Sequence, residues 1–255
     1  HPTRRQINYT ELGQIKGLAF IDKNNKLKVT GNAEQLSAFD LLHHDIDKLI
    51  PGLQEFGGNG ELIQEFFDPI SIDLLDEINK KRGSDEKSFC KKIDKNTKFV
   101  RTFTSRGCVA RCTFCQRAQK GYRTYAANDF ETHILKLKEK YNVGYFILED
   151  ENFGSNRKQS YETARLMKKH DLFWMANGVR CTSVTYEDLK FYKEHNMIFI
   201  TFGIESGSQK IIDIMEKKFK TEDVYNAISN CKKVGIKTFP DSLMIGMPGE
   251  TRETI

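Results

Sequence analysis

The sequence of 255 residues lacks any apolar run close to the ~18–20 residues that a membrane-spanning helix requires, so no segment of it predicts a span. It also has no internal repeat and no low-complexity tract. An apolar fraction of 38% excludes a disordered or collagen-like chain. With 29% charged residues, the composition predicts globular structure, with room for one large α/β domain or two ordinary domains.

The sequence also lacks a large excess of one charge. Forty Lys and Arg residues against 35 Asp and Glu residues leave a net charge of +5, and the cations are spread along the chain. A nucleic-acid-binding face needs its basic residues concentrated in a patch or stripe. We therefore expect a solvated, lysine-rich surface and no nucleic-acid partner.

Residues 1–97 differ in pattern from the rest of the chain and predict a small α+β region. Two short β-prone runs flank the turn residues Asp22-Lys23-Asn24-Asn25, which predicts a hairpin over residues 15–29. Helical patterns cover residues 33–47 and 69–81. The charged residues 80–96 predict a linker.

From residue 98 onward, β-prone runs alternate with helical patterns. The strand candidates are residues 99–104, 143–148, 172–176, 198–203 and 237–245. Helix starts are predicted at Asn128, Thr185 and Thr221, the first two with an acidic residue three positions on. The alternation predicts an α/β fold with a parallel sheet and right-handed crossovers, built as a partial barrel or as an open doubly wound sheet.

Polar and glycine-rich segments follow each predicted strand. In either parallel architecture, ligands bind at the carboxyl ends of the strands. Five such loops at one edge of a sheet are typical of an active site. They are residues 105–115, 149–153, 177–180, 203–208 and 246–251.

The six cysteines are unevenly distributed. Cys108, Cys112 and Cys115 lie within eight residues, whereas Cys90, Cys181 and Cys231 are scattered. Cys181 and Cys231 are most simply interpreted as packing residues. A chain of this size does not need disulfide bonds to fold, so the cluster favours metal or redox chemistry in a reducing compartment. We therefore expect a cytoplasmic protein.

The CxxxCxxC spacing allows three thiolates to converge on one face of a tight loop. Three thiolates around four irons leave one iron open, which favours an iron–sulfur cluster. The alternatives are packing cysteines that happen to cluster and structural zinc, which requires a fourth ligand. That ligand would come from Cys90, His133, Cys181 or another distant residue.

The segment Cys108-Val109-Ala110-Arg111-Cys112-Thr113-Phe114-Cys115, with an aromatic residue before the third cysteine, resembles the signature of the radical S-adenosylmethionine superfamily. The loops at the other strand ends are similar, in the same order, to the branch often found behind a cobalamin-binding domain. The resemblance covers about residues 98–255.

The resemblance implies a partial (β/α)6 barrel of the TIM type, here truncated after the fifth strand. Residues 98–255 would be the radical S-adenosylmethionine core, incomplete at its C-terminus, and residues 1–97 the tail of a cobalamin-binding domain plus a helical linker. The chain begins at His1 and stops soon after Pro248-Gly249, so we expect a fragment. It contains no Asp-x-His-x-x-Gly motif, so a cobalamin-binding domain would lie upstream or be absent.

The resemblance also implies the cofactors and the reaction class. Cys108, Cys112 and Cys115 would hold a [4Fe–4S] cluster whose open iron binds S-adenosylmethionine. Reduction by a protein such as flavodoxin or ferredoxin would cleave that molecule to a 5′-deoxyadenosyl radical. The activity would be cobalamin-dependent methyl transfer or rearrangement on a small molecule. The alternatives are a tRNA-modifying methylthiotransferase and a structural zinc- or cluster-binding protein.

Further roles follow residue by residue from the same resemblance. Phe114 would contact the adenine, and one acid among Glu149, Asp150 and Glu151 would hold the methionine amino group. Arg180 would pair with the methionine carboxylate or, alternatively, with a nearby acid. The residues expected near the ribose, the methionine or the adenine are Glu205, Ser206 and Gly246. Competing interpretations are a core position for Phe114, a solvated acidic loop at residues 149–151, and a helix cap at Ser206.

Overall fold

The computed structural model describes residues 8–32, 68–69, 96–116, 121–240 and 242–255. The helical pattern over residues 33–47, most of the pattern over residues 69–81 and nearly all of the linker over residues 80–96 lie outside these residues. Pro69 is an exception, because it lies in a short strand and not in a helix. In that strand it pairs with Lys98.

The described N-terminal part is a helix followed by a hairpin. Helix α1 spans Tyr9–Gln14, and the side chain of Asn8 caps it by accepting from the backbone N–H groups of Thr10 and Glu11. Strands β1 (Ala19–Ile21) and β2 (Leu27–Val29) pair antiparallel. The predicted hairpin is confirmed.

A six-stranded sheet forms the centre of the molecule. Its strands are β3 (Asp68–Pro69), β4 (Lys98–Thr102), β7 (Val143–Leu148), β8 (Phe173–Val179), β9 (Met197–Phe202) and β10 (Lys237–Pro240). Their order is β10-β9-β8-β7-β4-β3, in which five strands are parallel and the edge strand β3 is antiparallel. The predicted parallel α/β fold is confirmed, as the five-stranded part of a TIM-like barrel.

Helices connect the parallel strands. They are α2 (Ala127–Tyr141), α3 (Arg157–Lys169), α4 (Tyr186–Glu194), α5 (Gln209–Ile214) and α6 (Thr221–Val234), with a 3-10 turn at Cys181–Ser183. The capping box of Thr185 and Asp188 is confirmed at the start of α4. The predicted cap at Asn128 is wrong. The cap lies two residues earlier, at Ala126, which is extended and whose carbonyl accepts the first helical bond from the N–H of Phe130.

The main core lies between the sheet and these helices. Trp174, Phe146, Phe153 and Tyr192 are almost completely buried there. Each large side chain contributes roughly 1.5–3 kcal/mol by leaving water. The indole N–H of Trp174 donates to the carbonyl of His195 at 2.7 Å, so burial of this ring leaves no polar atom unpaired.

The opposite face of the sheet carries a second apolar cluster. It contains Tyr145, Ile147, Phe173 and Ile198. Successive residues of a strand point to opposite faces, so this cluster lies on the face of the sheet away from the main core. Two apolar faces are expected for a parallel sheet, because such sheets are covered on both sides.

A second hairpin, which the sequence did not predict, follows β4. Strand β5 (Ser105–Gly107) pairs antiparallel with β6 (Tyr122–Thr124). Gly107 has φ +82°, and a Cβ atom there would overlap the carbonyl oxygen of Gly121. The base of the hairpin therefore closes only with glycine at position 107.

Two strand ends differ from the prediction. Strand β4 stops at Thr102, because the chain then turns into this hairpin. Strand β10 ends at Pro240, whose nitrogen cannot donate a ladder hydrogen bond, although Leu243 forms an isolated parallel bridge with Glu205. Within the described ranges, no helix is long and apolar enough to cross a membrane.

Replacing Gly107 or Gly121 by alanine is expected to destabilise the protein to different extents. Gly107→Ala should lower the free energy of unfolding by roughly 3 kcal/mol, since it combines a left-handed backbone with overlap at a carbonyl oxygen. Gly121→Ala also has positive φ but meets open space, so it should cost about 1 kcal/mol. Urea unfolding of both variants measures the difference, and equal costs would contradict this packing.

Candidate active site

The cysteine loop, residues 108–116, leaves the β5/β6 hairpin and is tied to the end of α5. Thr113 donates its backbone N–H to the carbonyl of Met215 and its hydroxyl to the carbonyl of Ile214, both at 3.0 Å. Within the loop, the N–H of Cys115 donates to the carbonyl of Cys112 at 3.2 Å. The loop is thus tied to the end of α5 at Thr113 and closed by a turn between Cys112 and Cys115.

The three cysteines of this loop border one cavity of about 230 Å³ at the carboxyl edge of the sheet. The opposite wall comes from the ends of β7, β8 and β9 and from the turn after α5. The charged or aromatic residues that line the cavity are Phe114, Glu151, Arg180, Glu205 and Lys217. Four of these five side chains are charged, so a ligand in the cavity would meet charged groups of both signs.

The donor set of the cavity fits an iron–sulfur cluster better than zinc. In their present positions, no three His, Cys, Asp or Glu side chains of the described residues are arranged to hold a metal ion. However, Cys108, Cys112 and Cys115 are free thiols on one short loop, which is the ligand set of a cluster with one open iron. His133 and Cys181 were candidates for a fourth zinc ligand, and neither lines the cavity.

The surroundings of Cys108 favour its neutral thiol form. Burial raises the pKa of the Cys108 thiol, although the N–H of Ala110, 3.4 Å from the sulfur, and the positive charge of Arg180 lower it. A thiol in this position therefore needs added positive charge to become a thiolate. Iron ions supply such charge when they bind.

Arg180 reaches the cysteine loop from the end of β8. Its Nη1 lies 3.6 Å from the sulfur of Cys112, and its Nη2 donates to the backbone carbonyl of Lys217. The guanidinium also lies 5.7 Å from the ring centroid of Phe219. Three contacts therefore fix this side chain against the middle cysteine.

Lys217 is a site residue that the sequence did not reveal. Its side chain is only 5% exposed, and its ammonium donates to the carbonyl of Gly203 at 2.5 Å and to Glu205 Oε1 at 3.2 Å. Burial lowers the pKa of Lys217, and the carboxylate of Glu205 partly reverses the effect. Lys217 stands in a lysine-rich stretch that resembles a solvated surface, so only the structure separates it from its neighbours.

Glu205 holds the end of β9 to the segment after β10. Its backbone has φ +67°, an uncommon conformation for a residue with a side chain. Its N–H donates to Ser242, its carbonyl accepts from Met244, and its Oε2 accepts from the hydroxyl of Ser242 at 3.0 Å. These bonds keep the Glu205 carboxylate in the cavity wall, and its expected role toward S-adenosylmethionine stays a prediction.

The three acids after β7 point in three directions. Asp150 is 4% exposed and accepts four hydrogen bonds, from the backbone N–H and hydroxyl groups of Thr104 and Ser105, at 2.5–3.2 Å. Burial raises the pKa of Asp150, and these bonds oppose the increase. Asp150 therefore fixes the turn between β4 and β5 and does not reach the cavity.

The other two acids separate clearly. Glu149 pairs with Arg101 and accepts from the amide of Asn177 at 2.9 Å, away from the cavity. Glu151 lines the cavity, and its Oε1 accepts from the N–H of Gly107 at 3.1 Å. The structure thus brings Glu151, and not Glu149 or Asp150, to the cysteines.

Two more residues expected at the site lie outside the cavity. The hydroxyl of Ser206 is buried and accepts from the N–H of Ser208 at 3.1 Å, which shapes the turn before α5. Gly246 is exposed, with φ +99°, and its N–H donates to Glu250 Oε2 at 2.5 Å. Their roles toward S-adenosylmethionine remain predictions.

A parallel half-barrel with three cysteines at its carboxyl edge defines a class of α/β protein that is suited to a metal centre in the barrel mouth. The family model of the radical SAM superfamily matches residues 102–255, more than half of the chain. The chain therefore belongs to the radical S-adenosylmethionine superfamily, whose cofactors are a [4Fe–4S] cluster and S-adenosylmethionine.

Similar proteins are found by sequence and by structure. Cytidylyl-2-hydroxyethylphosphonate methyltransferase of Streptomyces wedmorensis is 24% identical over 240 residues, 92% of this chain and 43% of that protein. The cobalamin-dependent S-adenosylmethionine radical enzyme OxsB has TM-score 0.58 and 18% identity, over 93% of this chain and 31% of that chain. The methyltransferase TsrM of Kitasatospora setae has TM-score 0.54 and 17% identity, over 60% and 30%. The chain spans less than half the length of these proteins.

The contrast between Asp150 and Glu151 leads to a test of stability. Asp150→Ala removes the acceptor of four buried donors and should lower the free energy of unfolding by roughly 3 kcal/mol or more. Glu151→Ala removes one acceptor at an exposed side chain and should cost about 1 kcal/mol. Thermal or urea unfolding compares the two, and an equal or larger loss in Glu151→Ala would refute the structural role of Asp150.

Proposed function

We propose that the protein is a radical S-adenosylmethionine enzyme that transfers a methyl group to a small molecule or rearranges its skeleton. One observation carries the proposal: Cys108, Cys112 and Cys115 border the same cavity as Glu151, Arg180, Glu205 and Lys217. Three thiols suited to a cluster therefore face charged groups of both signs. A zwitterionic ligand such as the methionine part of S-adenosylmethionine requires such groups.

The residues of the chain have separate tasks in this proposal. When bound, the cluster supplies the electron that cleaves S-adenosylmethionine to methionine and a 5′-deoxyadenosyl radical. Glu151 and Glu205 are the carboxylates available to the amino group of the methionine. Phe114 provides an aromatic face beside the third cysteine.

Methyl transfer is the preferred reaction because the similar proteins named above include two methyltransferases. Cobalamin is a second cofactor in the proposal, since OxsB is described as cobalamin-dependent and TsrM as having cobalamin bound. The chain itself has no Asp-x-His-x-x-Gly motif. A low-potential reductant such as flavodoxin or ferredoxin and a location in the cytoplasm complete the proposal.

The test is anaerobic reconstitution of the full-length protein with iron and sulfide. We expect a broad visible absorbance band, about four irons per chain, and 5′-deoxyadenosine after addition of dithionite and S-adenosylmethionine. Cys112→Ala should lose the cluster and the product. Cys231→Ala is the matched control, because that thiol is buried in the main core and does not line the cavity, so the change should leave both intact.

The opposite results are equally specific. Zinc bound in place of iron, with no 5′-deoxyadenosine, would eliminate the enzyme proposal in favour of a structural site. Radical chemistry together with tight, specific RNA binding would favour a tRNA methylthiotransferase instead.

A further inference from the structure

Two cations lie behind the cysteine loop, and one of them is buried. Lys217 keeps only 5% of its side chain exposed, and the half-buried Arg180 donates to its backbone carbonyl. Removing an ammonium from water costs several kcal/mol unless it is paired. One carboxylate and one carbonyl compensate Lys217, so this charge is held in the cavity wall at a fixed position.

Both cations line the same cavity as the three predicted cluster ligands, and Arg180 contacts one of them. Arg180 Nη1 lies 3.6 Å from the sulfur of Cys112. The ammonium of Lys217 lies 5.6 Å from the ring centroid of Phe114, a residue that stands between the second and third cysteines in the sequence. The pair thus lies beside the segment that carries two of the three thiols.

We propose that Arg180 and Lys217 act together as a cation pair that stabilises the reduced form of the [4Fe–4S] cluster and so raises its reduction potential. The inference rests on the proposed function, because it requires the cluster. It also gives Arg180, whose Nη1 lies 3.6 Å from the Cys112 sulfur, a role toward the cluster in place of the expected pairing with the methionine carboxylate.

The physical argument concerns charge. Reduction by one electron adds a negative charge to the cluster and its thiolates. A nearby fixed cation stabilises that charge, and hydrogen bonds to cluster sulfurs shift the potential in the same direction. Solvent screens such an effect at an exposed side chain but much less at a buried one. The buried position of Lys217 therefore gives it an influence that its exposed neighbours lack.

Removing the charge of Glu205 is expected to change the reduction potential of the cluster in the opposite direction. Its Oε1 lies 3.2 Å from the ammonium of Lys217, so it cancels part of the positive charge that the cluster experiences. Removing the Glu205 charge should therefore raise the potential, whereas removing the Lys217 charge should lower it. A loop that is merely disturbed would not give two shifts of opposite sign.

The experiment is a redox titration of the anaerobically reconstituted full-length protein without S-adenosylmethionine, followed by electron paramagnetic resonance of the reduced cluster. Lys217→Met and Arg180→Gln should each make reduction at least tenfold less favourable, ~59 mV for one electron. Glu205→Gln should shift the equilibrium in the other direction. Arg180→Lys keeps the charge but loses the fork, so it should shift the potential less than Arg180→Gln.

Lys218→Met is the matched control. Lys218 is the next residue, its side chain is 75% exposed, and its ion pair is with Glu216 at 3.5 Å. Loss of this screened charge should leave the potential unchanged. If Lys217→Met binds too little iron for a redox titration, the opposite shifts in potential expected for Arg180→Gln and Glu205→Gln test the proposal.

Two failures are distinguishable. A wild-type protein that takes up no [4Fe–4S] cluster overturns the proposed function and this inference together. A wild-type protein with a full cluster, whose potential is the same in the Arg180, Lys217 and Glu205 variants, overturns only the inference. Weakened binding of S-adenosylmethionine by Arg180→Gln at an unchanged potential would return Arg180 to the carboxylate role.

Discussion

The buried carboxylate of Asp150 is the interaction on which the position of the cysteine loop depends. It lies just after β7 and gathers the N–H and hydroxyl groups of Thr104 and Ser105, so it sets where β4 ends and β5 begins. The hairpin that starts there continues directly into Cys108. Without this contact the loop could leave the sheet at another angle, and its thiols would no longer face Glu205 and Lys217.

Charge balance is the second constraint on the cavity. Its wall contains Glu151 and Glu205 as acids and Arg180 and Lys217 as bases, so the four charges sum to zero before any ligand enters. Burying charges is tolerable only when they are paired, and the Lys217–Glu205 pair satisfies this condition. A zwitterionic ligand can then exchange partners with the wall without leaving an uncompensated charge.

The sequence predicted the parts of the structure that have a local signal. Apolar runs located the five parallel strands, Thr185 and Asp188 marked the start of α4, and the cysteine spacing marked the loop. The hairpin of β5 and β6 was not predicted from the sequence, because its strands are separated by the whole cysteine loop. The directions of the three acids after β7 were not predictable for another reason: each depends on a partner that is distant in the sequence, Arg101 for Glu149, Thr104 for Asp150 and Gly107 for Glu151.

Lys217 shows what sequence patterns omit in general. Its neighbours in the lysine-rich stretch are solvated, and its burial arises from contacts with Gly203 and Glu205 at the end of β9. The turn after α5 therefore joins the site through its contacts with the end of β9, and β9 lies next to β8 in the sheet. Because the cavity wall comes from several strand ends, the parallel register fixes the distances between its charges. The same half-barrel can thus keep a cluster site while the loops around it diverge.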